Sequence, residues 1–300
     1  METKRGEEMK RVLYTPLHFI LVIIGLFLLS GLGALLSYDT ELVINFGDYG
    51  VRLKEIFNQI LHPSQIAMPW GEGNKVYPIT TVFGKTYGYS VSILIAAFFV
   101  AVAFAIVISY SIMMLPGRGY RFTMKIVNAV DALPDVFIVV GFQLFIIWLF
   151  KQTGLLVFEI YAFGEEKIYF LPILCLSLLP VVFLVKQFIF QLKEEENKPY
   201  VEFSFAKGFR KSYTVWRHIF RNVWIHFFLH LKPIFLLMLS NLLIIEILFN
   251  INGFMMTLST AAIAVPAGFF IGLLLIFIPF FVVFQLGSWI LNHWLGGEHA

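Results

Sequence analysis

Apolar runs dominate the chain, and the polar positions between them fall in clusters. A helix needs roughly 20 apolar residues to cross a bilayer. Five such runs cover residues 17–36, 89–115, 168–185, 233–250 and 266–295. A sixth has an uncharged core at 136–150 and is expected to begin near Asn128. Between Glu246 and Glu298 no Asp, Glu, Lys or Arg occurs. Asn250-Ile-Asn-Gly253 and Pro266 interrupt that stretch, which predicts the end of a fifth helix, a re-entrant or outer loop, and a sixth helix. The first run exceeds the roughly 7–15 residues of a signal-peptide core. No small-residue cleavage site follows it, so a retained anchor is expected. The pattern predicts an all-α integral membrane protein of six transmembrane helices, one membrane domain over residues 1–300.

Composition fits this reading. The chain is 59% hydrophobic and 14% charged, against about 25% charged in soluble domains. So much apolar surface cannot be hidden inside one globule of this length. A net charge of +3 gives no global field that would draw the chain to nucleic acid. The single cysteine, Cys175, excludes an intrachain disulfide.

Basic residues set the expected orientation. With six spans, residues 1–16, 116–128, 186–232 and 296–300 share one side and carry 16 Lys and Arg. Residues 38–88, 151–167 and 251–265 share the other and carry 6. Acids divide evenly, 8 and 8. Cytoplasmic loops carry the excess of Lys and Arg, so both termini and the 186–232 segment are expected in the cytoplasm, and the protein in the cell membrane.

In the outer segment 38–88, Leu53, Ile56, Phe57, Ile60 and Leu61 follow the i, i+3, i+4, i+7, i+8 spacing of an amphipathic helix. Such a helix can lie on the membrane face, cap the bundle or meet a partner. Gly84-Lys85-Thr86 matches the end of a phosphate-binding loop, but Ile79 stands where that motif needs its first glycine. The chain therefore shows no nucleotide site of its own.

The 186–232 segment is different. Lys207, Arg210, Lys211, Arg217 and Arg221 lie among Phe203, Phe205, Phe209, Tyr213 and Trp216, around Gly208. Lys198-Pro199 with Glu202 reads as a helix start. Gly208 suits a helix end, where a left-handed residue is needed. Ser212 or Thr214 can cap a second short helix running through Asn222. So short a unit cannot bury its own aromatics, which need anionic lipid or a cytoplasmic protein to cover them. Nucleic acid is a poor fit for a small, membrane-tethered patch.

Residues 200–226 resemble the EAA loop of bacterial ABC-transporter permeases, in the oligopeptide/dipeptide/nickel version. That version runs Y-V-x-x-A-x-A-K-G, then H-x-x-R-N and a proline a few residues on. Tyr200, Val201, Ala206, Lys207, Gly208, His218, Arg221 and Asn222 match it. Ser204 replaces the first alanine and His226 the proline. Ile245 to Phe254 is similar to the family's V-E-x-x-F-x-x-P-G-L-G, through Glu246, Phe249 and Gly253, with Asn252 and Met255 as departures. Leu133-Pro134-Asp135-Val136-Phe137 is more weakly similar to a helix-start pattern of the family.

The resemblance covers about residues 128–295 and implies a transport subunit, not an enzyme. It implies a coupling helix seated in a groove of an ATPase subunit, with Ala206, Lys207, Gly208, Phe209, Tyr213, Trp216, His218, Arg221 and Asn222 at the joint. It further implies two such ATPase subunits, a second similar permease subunit, an extracytoplasmic substrate-binding protein and surrounding membrane lipid. Glu246, Phe249 and Gly253 become candidates for the translocation path or gate. No cofactor, metal or nucleic acid is implied. Peptides or a related small solute are the implied cargo.

Other residues keep two readings. Glu246 is the only acid deep in the last two spans, and it either lines the path or is paired structurally. Asp131 and Asp135 are four apart at the expected start of span three. They could form a proton-relay pair, although acids facing a helix dipole are the commoner cause. His226 and His230 share the i, i+4 spacing of a metal pair, with His218 two turns earlier, but no third ligand is evident. Lys232 beside Pro233 reads as a snorkelling anchor. A membrane-embedded enzyme built on these groups, and a scaffold that recruits a cytoplasmic protein, remain the alternatives to a permease.

Overall fold

The computed structural model describes residues 2–38, 42–70, 75–154, 158–164, 166–223 and 231–295. Six helical segments are long and apolar enough to cross a membrane: Pro16–Ala34, Ile79–Met114, Asp135–Thr153, Phe170–Glu196, Leu231–Leu248 and Pro266–Gly287. The protein is an all-α integral membrane protein. Helices suit this role because every backbone polar group within hydrocarbon must be satisfied inside the segment.

In chain order the helices are α1 (Glu2–Ser30), α2 (Phe46–Ile60), α3 (Ile79–Met114), α4 (Gly117–Asp131), α5 (Asp135–Thr153) and α6 (Phe170–Glu196). They continue with α7 (Pro199–Ala206), α8 (Lys211–Thr214), α9 (Leu231–Leu248), α10 (Phe254–Ala264) and α11 (Pro266–Leu295). Two compact units result. One comprises residues 1–87 and 256–286, the other residues 88–255 and 287–300.

In the first unit, aromatic rings join α1 to α11. Phe19 lies 5.5 Å from Phe277 and 4.9 Å from Phe281, and Phe27 meets Phe270 edge-on at 5.6 Å. Helix α2 is the amphipathic helix anticipated from Leu53 to Leu61. Its start is set by Asn45, whose Oδ1 accepts from the Gly47 and Asp48 amides at 3.0 and 3.2 Å. Ile56 is buried on its inner face, and Tyr49 donates to the Leu28 carbonyl at 2.8 Å. Two antiparallel hairpins flank it, Leu36–Tyr38 with Leu42–Ile44 and Ala67–Pro69 with Val76–Pro78. Strands of three residues are too short to leave an alternation in the sequence.

In the second unit α6 is the central helix. It packs on α9, α5 and α4. Leu184, Val185, Phe188, Ile189 and Leu192 form its buried stripe. Here the span limits read from hydropathy need correction. Helix α3 begins at Ile79, ten residues before the apolar run. Span three does not begin near Asn128. The backbone breaks at Ala132-Leu133-Pro134, because a proline disfavours helix in the residue before it, and residues 117–131 form the separate helix α4.

That break removes the expected pair of carboxylates on one helical face. Asp131 ends α4 and accepts from Lys186 Nζ at 2.5 Å. Asp135 opens α5 and accepts from Asn241 Nδ2 at 2.6 Å. The helix-dipole reading therefore holds for Asp135 alone. The stretch before α11 holds a non-helical turn through Gly253 and then the short helix α10.

Candidate functional site

Helix α6 continues beyond its apolar stretch to Glu196, and the chain then turns into the basic, aromatic segment. Lys198 stands at the N-cap of α7, Pro199 at its first position and Glu202 in its first turn. Gly208 has φ +82°. A side chain is strained in that left-handed region, so the glycine is what lets α7 turn into α8 within four residues. Helix α8 continues through a π turn, Val215–Ile219, and the helical backbone reaches Val223.

Neither expected cap is present. Arg210 occupies the N-cap of α8, without a side-chain bond. Thr214 instead points inward, fully buried, with its hydroxyl 2.9 Å from that of Ser204. The serine that replaces the family's first alanine is thus half of a bond tying α7 to α8.

A second tie lies at the base. The Glu195 side chain is 7% exposed and pairs with Lys198. Tyr200 donates to its other oxygen at 2.6 Å. Asn222 hydrogen-bonds with both Glu195 and Tyr200. Burial, and the carboxylate it donates to, hold the Tyr200 phenol up at about 12, so it remains a donor throughout the physiological range. Glu195 thereby gathers the end of α6, the first turn of α7 and the last helical turn before Val223.

With both ties made, five aromatic side chains remain exposed. Phe203 is 60% and Trp216 59% exposed, and Phe205, Phe209 and Tyr213 are exposed as well. Phe209 stacks on Tyr213 at 5.0 Å, and the His218 ring lies 5.7 Å from Tyr213. Lys207 Nζ sits 4.4 Å above the Phe203 ring. Ala206, Gly208 and Arg221 are exposed, while His218 and Asn222 are half-buried.

Glu246 lies in the last turn of α9, and Phe249 and Gly253 follow its end. Glu246 is 1% exposed, and Ser90 Oγ donates to its carboxylate at 2.5 Å. The same Ser90 oxygen accepts from the Phe254 amide at 2.7 Å. The Glu246 carbonyl accepts from the Ile251 amide at 2.7 Å. Gly253 lies directly under the carboxylate: a Cβ there would be 2.2 Å from Glu246 Cδ. Phe249 is buried and its carbonyl accepts from the Ala162 amide at 3.0 Å. Asn250, at φ 52°, sends its amide back to the Ala162 carbonyl at 3.0 Å.

Comparison with known families decides the assignment. A family model described as "Binding-protein-dependent transport system inner membrane component" matches residues 101–295. The chain belongs to that family. Among curated proteins, none matches the chain. As a family member it is a membrane transport component, a transmembrane permease of a binding-protein-dependent ABC transporter and a multi-pass inner membrane protein. Such permeases work with ATPase subunits and a substrate-binding protein in ABC importers. The match takes in the Glu195 cluster, the Gly208 turn, Glu246 and Gly253, while Ser90 lies before its first residue. The hairpins and α2 lie outside it.

Gly84-Lys85-Thr86 falls inside α3, where the backbone amides are engaged in the helix and Lys85 sits 5.5 Å over Trp70. Among the described residues no group of three or more His, Cys, Asp or Glu could hold a metal ion. His226 and His230 lie outside the described residues, and Lys232 is exposed at the start of α9. Glu195 and Ser90 are the residues that sequence reading missed. Glu195 lies in the run Glu194-Glu195-Glu196, which reads as a solvated cluster. Ser90 is far from Glu246 in the chain and carries no signal of its own.

Proposed function

We propose that the protein is a permease subunit of an ATP-driven importer for peptides or a related small solute, and that the α7–Gly208–α8 segment is its joint with a separate ATPase subunit. Both termini and this segment face the cytoplasm in this reading, as the 16 to 6 division of basic residues indicates. The transport core pairs the chain with a second, similar permease subunit and two ATPase subunits. The resemblance to oligopeptide, dipeptide and nickel permeases in the loop supports this cargo class.

One observation carries the reading. A stiff element presents five aromatic side chains that stay 41–60% exposed in its own fold. A mechanical coupler must be stiff, since a loose loop dissipates the motion it receives. The Ser204–Thr214 bond and the Glu195 cluster supply that stiffness from inside. Phe203, Phe205, Phe209, Tyr213 and Trp216 supply contact area outside, and Lys207, Arg210, Lys211 and Arg221 orient the docking against acidic groups.

Glu246 acts in this reading as a brace. Its carboxylate spans Ser90 and the Gly253 backbone, so it fixes the turn between α9 and α10. The favoured role is structural pairing at the end of span five.

The test is co-purification of the ATPase subunit with the chain, together with solute-stimulated ATP hydrolysis. Truncating a buried aromatic anchor commonly costs about 2 kcal/mol or more, so Trp216→Ala should weaken retention of the ATPase by roughly 30-fold. Normal membrane levels with wild-type retention and wild-type hydrolysis would contradict the joint.

A further inference from the structure

Helix α4 carries a face that the transport reading does not use. Its two ends are tied to the membrane: α3 ends at Met114, two residues before α4's N-cap Pro116, and α5 begins at Asp135, after a three-residue break. Both α3 and α5 are membrane spans. Fifteen residues of helix joined to two spans through short breaks are held close to the membrane boundary.

One side of α4 rests on α6. Tyr120, Thr123, Met124, Val127 and Val130 are half-buried there. Lys193 Nζ lies 5.1 Å over the Tyr120 ring, and Lys186 pairs with Asp131. The other side divides by chemistry. At 100° per residue, Arg118, Arg121 and Lys125 form one edge, and Phe122, Ile126 and Ala129 the adjoining one. Phe122 is 67% and Ile126 48% exposed. The apolar edge continues into the exposed Leu133, Val136 and Phe137 at the head of span α5. Among the described residues, none of the three bases pairs with a carboxylate. Arg121 Nε donates to the Gly117 carbonyl at 3.2 Å.

We infer that α4 is an in-plane anchor that binds anionic phospholipid: Phe122 and Ile126 enter the acyl boundary, and Arg118, Arg121 and Lys125 hold headgroup phosphates. An amphipathic helix with a basic polar edge buries its apolar face at the headgroup boundary. Charge complementarity selects the occupant, since three unpaired bases beside an apolar edge match an anionic lipid surface. The continuity with α5 supports the same choice, because residues of a span that face outward face lipid. Through Lys186 and Lys193 the anchor also fixes the level of α6 relative to the bilayer.

The experiment uses the full chain with Cys175→Ala, in nanodiscs of phosphatidylcholine containing about 30% phosphatidylglycerol. Single cysteines at Phe122, Ile126 and the exposed Asn128 carry nitroxide labels. Labels at 122 and 126 should be relaxed by oxygen more than by a water-soluble nickel chelate, and the label at 128 the reverse. Each base near an anionic surface contributes about fivefold in binding. Arg118→Gln/Arg121→Gln/Lys125→Gln should therefore lower preference for spin-labelled phosphatidylglycerol over phosphatidylcholine toward unity. Labels at 122 and 126 as open to the chelate as that at 128 overturn the inference. So does unchanged headgroup preference in the triple variant. A face that becomes protected only when another protein subunit is added overturns it in favour of a protein occupant.

Discussion

Gly253→Ala should damage the protein through Glu246, and the size of the effect follows from the geometry. The new methyl would lie 2.2 Å from the carboxyl carbon and 2.2 and 2.6 Å from its oxygens. Ordinary contact begins at 3.4 Å, so the carboxylate must retreat by roughly 1 Å. That retreat breaks the 2.5 Å bond from Ser90, which also accepts the Phe254 amide. A buried hydrogen bond to a charged group contributes about 1.5–3 kcal/mol. At roughly 2–4 °C per kcal/mol for a chain of this size, the thermal midpoint of the detergent-solubilised protein should fall by about 3–12 °C. The decisive arm is the double-mutant cycle. With Glu246→Ala already in place the methyl at 253 has room, so Gly253→Ala should add only a few tenths of a kcal/mol. The coupling between the sites should be about 2 kcal/mol. Equal losses from Gly253→Ala in both backgrounds would refute the brace.

Three further outcomes are expected. Glu246→Gln should lower the thermal midpoint and the yield of complex before it lowers uptake; lost uptake at unchanged stability would instead mark the residue as part of the path. At Gly208 nothing lies within 4 Å of an added Cβ, so only backbone strain matters: Gly208→Asn should be mild, Gly208→Ala should cost about 1 kcal/mol, and Gly208→Val should be worst, in coupled ATP hydrolysis at normal membrane levels. Cysteines at the exposed Ser64 and Ser212, in a Cys175→Ala background, should label oppositely with an impermeant reagent on intact cells, Ser64 reacting and Ser212 not; equal labelling would overturn the orientation.

The six spans were legible because a helix in lipid must be apolar for most of its length, and little else in a chain looks like that. Their ends were less so. Helix α3 starts at Ile79 because a helix can extend past the bilayer, and Lys85, Thr86 and Gly88 do not stop it. Helix α4 was hidden because residues 116–128 read as a cytoplasmic segment and Asn128 as the start of span three, and Pro134 alone marks the break. In the 186–232 segment the local signals were strong: Lys198-Pro199, Glu202 and Gly208 are where the helix start and the left-handed turn occur. The long-range contacts were invisible. Thr214 looks like a cap in sequence but bonds to Ser204. Glu195 looks like one of three surface acids, but it is the buried acceptor for Tyr200, Lys198 and Asn222. Pairings of this kind depend on where helices cross, which spacing along one chain does not encode. Ser90 with Glu246 is the same case at greater separation.

The central claim, that the α7–Gly208–α8 turn seats on an ATPase subunit, is tested most directly by cross-linking. Ala206 is exposed at the end of α7. Ala206→Cys in a Cys175→Ala chain, assembled with its ATPase subunits in membranes and treated with a short bifunctional thiol-to-amine reagent, should give a covalent permease–ATPase adduct whose yield changes when ATP is added. A control cysteine at Ser64 should give none. No adduct from position 206 in an assembled complex, or equal adducts from 206 and 64, would contradict the account.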